Sequence, residues 1–262
     1  ASPEEWQGYY VGMEASFRRT RTEQSDVGAI SAWLRRGEIE AEKLNCPKYS
    51  KAKFENAVHT IRQLTVLSPE EFVPQIRQLC WDSGVVFTLV PAIPRAHTSG
   101  VARWLNPHKA LIQLSLYGKT NDRFWFTFFH EAAHILLHGK KDIFLDEFDG
   151  GEKLESQQEA EADRWASEFL IPPEYEAELP SLKSKQSVTE FAEKLGIHPA
   201  IVVGRLQHDG VIPMKWMNEF KEYCRQAISG VTTADRVREK LGTLEITEED
   251  IAEAVTWARQ DF

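Results

Sequence analysis

The chain has 262 residues, 42% of them apolar, 11% aromatic and 27% charged, the composition of a folded globular protein rather than a disordered or fibrous one. Its 31 Lys and Arg against 40 Asp and Glu give a formal charge of −9, so no broad basic field is available for a phosphate backbone and direct DNA binding by this chain is disfavoured. No apolar run approaches the roughly 18 residues that span a bilayer, and the opening ASPEEWQGYY has neither the basic nor the apolar region of a signal peptide, so a cytoplasmic protein without membrane contact is expected. Residues 1–82 alternate charged and apolar positions at helical spacing, as in Val58, Ile61, Leu64 and then Phe72, Ile76, Leu79, with Ser68-Pro69-Glu70-Glu71 as a helix start. From Gly84 the texture becomes β-branched and apolar. Strands are expected near 85–90, 101–105 and 110–116, the last two forming a hairpin across Asn106-Pro107. The strand at 110–114 is a candidate edge for an extended substrate to join, and an ordinary buried strand fits it equally well.

Two helices follow, over 121–138 and 156–170, the second stopped by Pro172-Pro173, and the intervening DIFLDEFDGGEK reads as an acidic surface loop. Within 188–207, Ala192, Gly196 and Val202 have the spacing of a helix-turn-helix, but few basic residues accompany them, so packing or partner docking is the expected role. The remainder is a charged helical tail with an amphipathic pattern through Val237, Leu241, Ile246, Ile251 and Val255. The expected division is a helical region at 1–82, a mixed helix-and-strand domain at 83–215 that includes the helix-turn-helix-like segment, and a helical tail at 216–262. Cys46, Cys80 and Cys224, odd in number and widely spaced, read as reduced thiols rather than as a disulfide or metal framework.

The chemistry concentrates in His130-Glu131-Ala132-Ala133-His134. Four helical residues turn the chain by about 400°, so both imidazoles lie on one face and can present nitrogens to one ion, with Glu131 beside them. This is the HExxH arrangement of zinc peptidases, and the pattern alone also arises by accident in apolar helices. A catalytic zinc needs a third protein ligand. Glu159, 25 residues after His134, is the favoured one, paired with Asp163 one turn on as the carboxylate that orients a ligand histidine. Glu161 is the alternative ligand, and Glu159 could instead serve a capping box with Ser156. For stabilising an oxyanion, spacing leaves three candidates open: Tyr117, Arg103 and His138, the last of which also suits a role at the helix C-terminus.

The phrases FTFFHEAAHILLHG and EAEADRWASEFLIPP resemble the ImmA/IrrE family of bacterial metallopeptidases, over about residues 84–212. The resemblance implies an α+β, zincin-like domain with a small sheet behind two ligand helices. It further implies His130, His134 and Glu159 as metal ligands and Glu131 as the catalytic acid-base, with Asp163 standing where the family often has Asn. Zn2+ is the implied cofactor, and Mn2+ suits similar donors. The implied function is hydrolysis of a regulatory protein, a helix-turn-helix repressor or an antitoxin, in stress response and transcription regulation. The rival reading is an antitoxin-like binding protein with a structural or idle metal site.

Overall fold

In the computed structural model the described residues are 27–91, 93, 96, 98–115, 120–138, 144–147, 157–222 and 224. Residues 1–26 of the expected N-terminal region, Tyr117 and the tail beyond Cys224 lie outside them.

Among the described residues three helices come first: α1 (Val27–Glu42), α2 (Lys51–Gln63) and α3 (Pro69–Asp82). Ile30, Trp33, Leu34, Gly37 and Ala41 recur at helical spacing and form the buried stripe of α1. The Ser68 start of α3 is as the sequence reads it, with the Glu71 carboxylate accepting from the Ser68 amide and hydroxyl at 3.1 and 2.8 Å.

The sheet has four strands, β1 (Val85–Leu89), β2 (Thr98–Asn106), β3 (Lys109–Leu114) and β4 (Phe144–Glu147), in the order β1-β3-β2-β4. β2 and β3 form the expected antiparallel hairpin, β1 runs parallel to β3, and β4 runs antiparallel to β2. One expectation changes, since part of the acidic stretch between the ligand helices is strand rather than loop. Of the two readings of 110–114 the ordinary buried strand holds, because β3 is interior with pairs on both sides and has no open edge to offer an extended peptide.

Alternation along the strands sets the two layers. On one face Val101, Arg103 and Gln113 meet α1: Trp33 Nε1 donates to Val90 O at 3.2 Å, Gln113 Nε2 to Trp33 O at 2.7 Å and Arg103 Nη2 to Leu34 O at 2.9 Å. The fit is close, since a Cβ on Gly37 would fall 1.9 Å from Gln113 Oε1. The other face receives α4 (Asn121–Leu137), where the Phe87 and Phe128 rings meet edge-on at 5.6 Å.

α4 is the axis of the domain. The Phe72 ring of α3 meets Phe124 and Trp125 in tilted contacts at 5.1 and 4.6 Å, while α5 (Gln157–Leu170) and α7 (Pro199–His208) pack along its other sides. This enclosure explains why Phe124, Trp125, Phe128 and Phe129 are all fully buried. Arg62 of α2 fastens the arrangement, donating to Phe169 O and Leu170 O at the end of α5, both at 2.8 Å, and to Leu195 O at 3.1 Å.

The helix-turn-helix-like segment forms as a helix pair, α6 (Lys185–Leu195) and α7, joined through Gly196 in the left-handed conformation at φ 63°. Ala200, Ile201, Val202, Val203 and Leu206 of its second helix are buried, and a Cβ on Gly204 would come within 2.9 Å of Asp122 Oδ2 on α4. Packing against the HExxH helix is thus what this segment does. Among the described residues no helix is long and apolar enough to cross a membrane.

Candidate metal centre

α4 runs over Asn121–Leu137, so His130 and His134 share its buried interior at 1% exposure each, one turn apart. Their rings cross nearly at right angles, 4.7 Å between centroids, and bring the two Nε2 atoms to 3.0 Å. Glu159 comes from the first turn of α5, its Oε2 at 3.2 Å from His130 Nε2 and its Oε1 at 3.6 Å from His134 Nε2. These separations can be compared with the demands of an ion. Ligand atoms about 2.0–2.1 Å from a tetrahedral zinc lie about 3.3 Å from one another. The 3.0 Å between the two Nε2 atoms is close to one edge of such a tetrahedron, and the Glu159 carboxylate approaches both rings, Oε2 at 3.2 Å from His130 and Oε1 at 3.6 Å from His134, with one ligand atom from each of the three residues within 4.8 Å of the others. Among the described residues these three form the cluster able to hold a metal ion.

The protonation states suit a cation. Burial lowers the pKa of His134, keeping its ring neutral and its nitrogen available. Burial alone would raise the Glu159 carboxyl, but hydrogen bonds and charge from His130 and His134 outweigh it and hold the group well below the usual carboxylate range. The donor set is two imidazoles and one carboxylate, the composition of hydrolytic zinc sites with three protein ligands.

Each histidine turns its Nδ1 outward. His130 Nδ1 lies 2.7 Å from Asp163 Oδ1, one turn beyond Glu159 on α5, the place the sequence gives that carboxylate. A histidine whose Nδ1 donates to a carboxylate has its tautomer and ring direction set. Glu131 is fully buried between α4 and β2, where the missing side chain of Gly100 leaves room for its carboxylate.

The remaining sequence candidates fall elsewhere. Glu161, the alternative ligand, is displaced around α5 and is engaged by Gln157 Nε2 at 2.8 Å and by His138. Arg103 is not available to an oxyanion at this centre: strand alternation turns it to the opposite face of the sheet, beside Leu34 O and Glu38. His138 lies behind His134, with its Nδ1 at 2.9 Å from His134 Nδ1, on the side of that ring away from the cluster. It is therefore misplaced as an oxyanion donor: its imidazole contacts His134 and Glu161, while its backbone N–H closes the last helical turn on His134 O at 3.1 Å. Sequence reasoning missed the contact of His138 with Glu161 and the seat that Gly100 gives Glu131. Four-residue spacing after His134 places His138 against that histidine, but nothing in the sequence signals its contact with Glu161 or the seat at Gly100.

Two histidines one helical turn apart, a glutamate following the first, and a carboxylate from a crossing helix define a site of metallopeptidase type. Residues 92–207 match the family described as IrrE N-terminal-like domain, and this part of the chain is a domain of the ImmA/IrrE metallopeptidase family. No curated protein matches the chain.

Proposed function

We propose that the protein is an intracellular zinc-dependent endopeptidase that cleaves a regulatory protein, a repressor or an antitoxin, with Glu131 as general base. The observation that carries this reading is the convergence of His130 Nε2 and His134 Nε2, 3.0 Å apart on the helix that also holds Glu131, with the Glu159 carboxylate of the crossing helix, whose oxygens lie 3.2 and 3.6 Å from them. The family's metallopeptidase character supports the reaction type. A zinc ion bound there supplies Lewis acidity, polarising a carbonyl and making water acidic near neutral pH.

The chain's own residues do the rest. His130, His134 and Glu159 would hold the ion, and Asp163 keeps the His130 proton on Nδ1 so that Nε2 is free to ligate. Glu131 accepts the proton of the attacking water as the C–O bond forms, then delivers it to the leaving amine as the C–N bond breaks. The buried position of Glu131 excludes bulk solvent around that proton transfer.

Metal content and cleavage together test the proposal. One zinc per chain in the parent, lost in His130→Ala and in Glu159→Ala, is expected. Glu131→Gln should keep the metal and abolish cleavage of repressors or antitoxins encoded beside this protein. A Glu131→Gln variant that still cleaves, or a parent that takes up no metal, defeats the peptidase reading; unchanged partner binding without any cleavage favours a binding protein instead.

A further inference from the structure

His134 presents Nε2 to the cluster and Nδ1 to the side chain of His138, whose Nδ1 lies 2.9 Å away. On its far side His138 Nε2 is 3.3 Å from Glu161 Oε2, and the His138 side chain is 3% exposed. An imidazole that ligates through Nε2 keeps a proton on Nδ1, and that N–H requires an acceptor. For His130 the acceptor is the Asp163 carboxylate. For His134 the partner in place is a second imidazole, which can accept only through an unprotonated nitrogen.

The two contacts of His138 then fix its proton. With His134 Nδ1–H donating, His138 Nδ1 must be the lone-pair nitrogen, and His138 carries its proton on Nε2, aimed at Glu161. With the proton on His138 Nδ1, two N–H groups would face each other at 2.9 Å. We infer that His138 is a positioning residue, a neutral imidazole that accepts from His134 Nδ1–H and, anchored by Glu161, fixes the tautomer and ring direction of the second metal ligand. α5 thereby serves the centre twice: Glu159 faces the cluster directly, and Glu161 acts through His138 and His134. The inference rests on the reading of His134 as a metal ligand.

The test compares zinc affinity of the full chain, by competition with a chromophoric chelator, in the parent, His138→Leu, His138→Asn and His134→Ala. Loss of an outer-sphere partner to a ligand histidine weakens metal binding about 10–100-fold, so His138→Leu should fall in that range. Asn places an amide oxygen near the position of Nδ1, so His138→Asn should recover most of the loss. In nitrogen-resolved NMR of the zinc-loaded parent, His138 Nδ1 should be unprotonated and the His134 Nδ1 proton slow to exchange; the same proton should exchange fast in His138→Leu. Parent-like affinity in His138→Leu, equal weakening in His138→Leu and His138→Asn, or a proton found on His138 Nδ1 each overturns the inference. The NMR result decides it even where His138→Leu does not fold. If His134→Ala keeps full zinc affinity, the metal-site reading itself fails, and that outcome is distinct from the others.

Discussion

Gly100 on β2 sits directly against the Glu131 carboxylate of α4: a Cβ on Gly100 would lie 2.5 Å from Glu131 Oε1 and 2.8 Å from both Leu114 Cδ2 and Thr127 Cγ2. All three are side-chain atoms of buried residues, so the added methyl is accommodated only if Glu131, Leu114 and Thr127 shift. Overpacking of this kind costs about 1–3 kcal/mol. Gly100→Ala is expected to lose stability of that order in urea melts and to displace Glu131, reducing hydrolysis while metal content stays at the parent's level. Parent-like hydrolysis in this variant would mean that the carboxylate's seat is not set by Gly100.

Arg62 joins the ends of two helices from a third. Its guanidinium is half-buried, and burial lowers its pKa, yet it meets three carbonyl oxygens that have no intrahelical donor. Arg62→Ala is expected to cost about 3 kcal/mol, and Arg62→Lys to recover little of it, because an ammonium cannot copy the planar fork. Equilibrium denaturation gives the number. A loss under about 0.5 kcal/mol, the level of an ordinary surface change, would show that the clamp adds nothing.

Tyr49 provides a pH signature away from the metal centre. It packs edge-on against Trp104 at 4.8 Å, and burial, aided by the charge of Glu55, raises its phenol from 10.0 to about 12. The folded state thus holds the proton more tightly than the unfolded one, so this contribution is intact below pH 10 and is lost as pH rises toward 12. Tyr49→Phe should flatten that part of the stability curve. Identical alkaline slopes in the two proteins would dismiss the effect.

Metal removal should be visible in stability as well as in activity. An ion that binds only the folded chain adds about 2.7 kcal/mol when free at 100 times its Kd. Zinc at that excess is expected to raise the unfolding free energy of the parent by this amount and a chelator to reverse it, with no response in His130→Ala or Glu159→Ala. A response retained in both variants would place the ion elsewhere.

Much of this was legible in sequence because the signals were local. The spacing of His130 and His134 fixes a shared helix face, and the predicted helices at 121–138 and 156–170 match Asn121–Leu137 and Gln157–Leu170 closely. Choosing Glu159 over Glu161 also depended on helix phase, which Asp163 repeats one turn later. What local pattern left open was pairing and facing. Whether 110–114 lies at an edge depends on β1 aligning with it from 25 residues upstream, as in Val85 with Ala110, and no local pattern encodes that. Arg103 is a polar residue whose role turns on which sheet face it occupies, and its partner Leu34 O is 69 residues away. The four residues of β4 are too few to stand out as alternation inside an acidic stretch.

The parallel pairing of β1 with β3 also sets where this domain can be cut. The family match begins at residue 92, after β1 has ended at Leu89. A fragment started at that boundary would strip β3 of one neighbour along its whole length, leaving a row of unsatisfied amides and carbonyls on an apolar strand, the template on which chains add to one another. The smallest piece able to fold alone and stay monodisperse must therefore start upstream of residue 85 and retain Arg62, so the helices before the matched segment are built into its solubility.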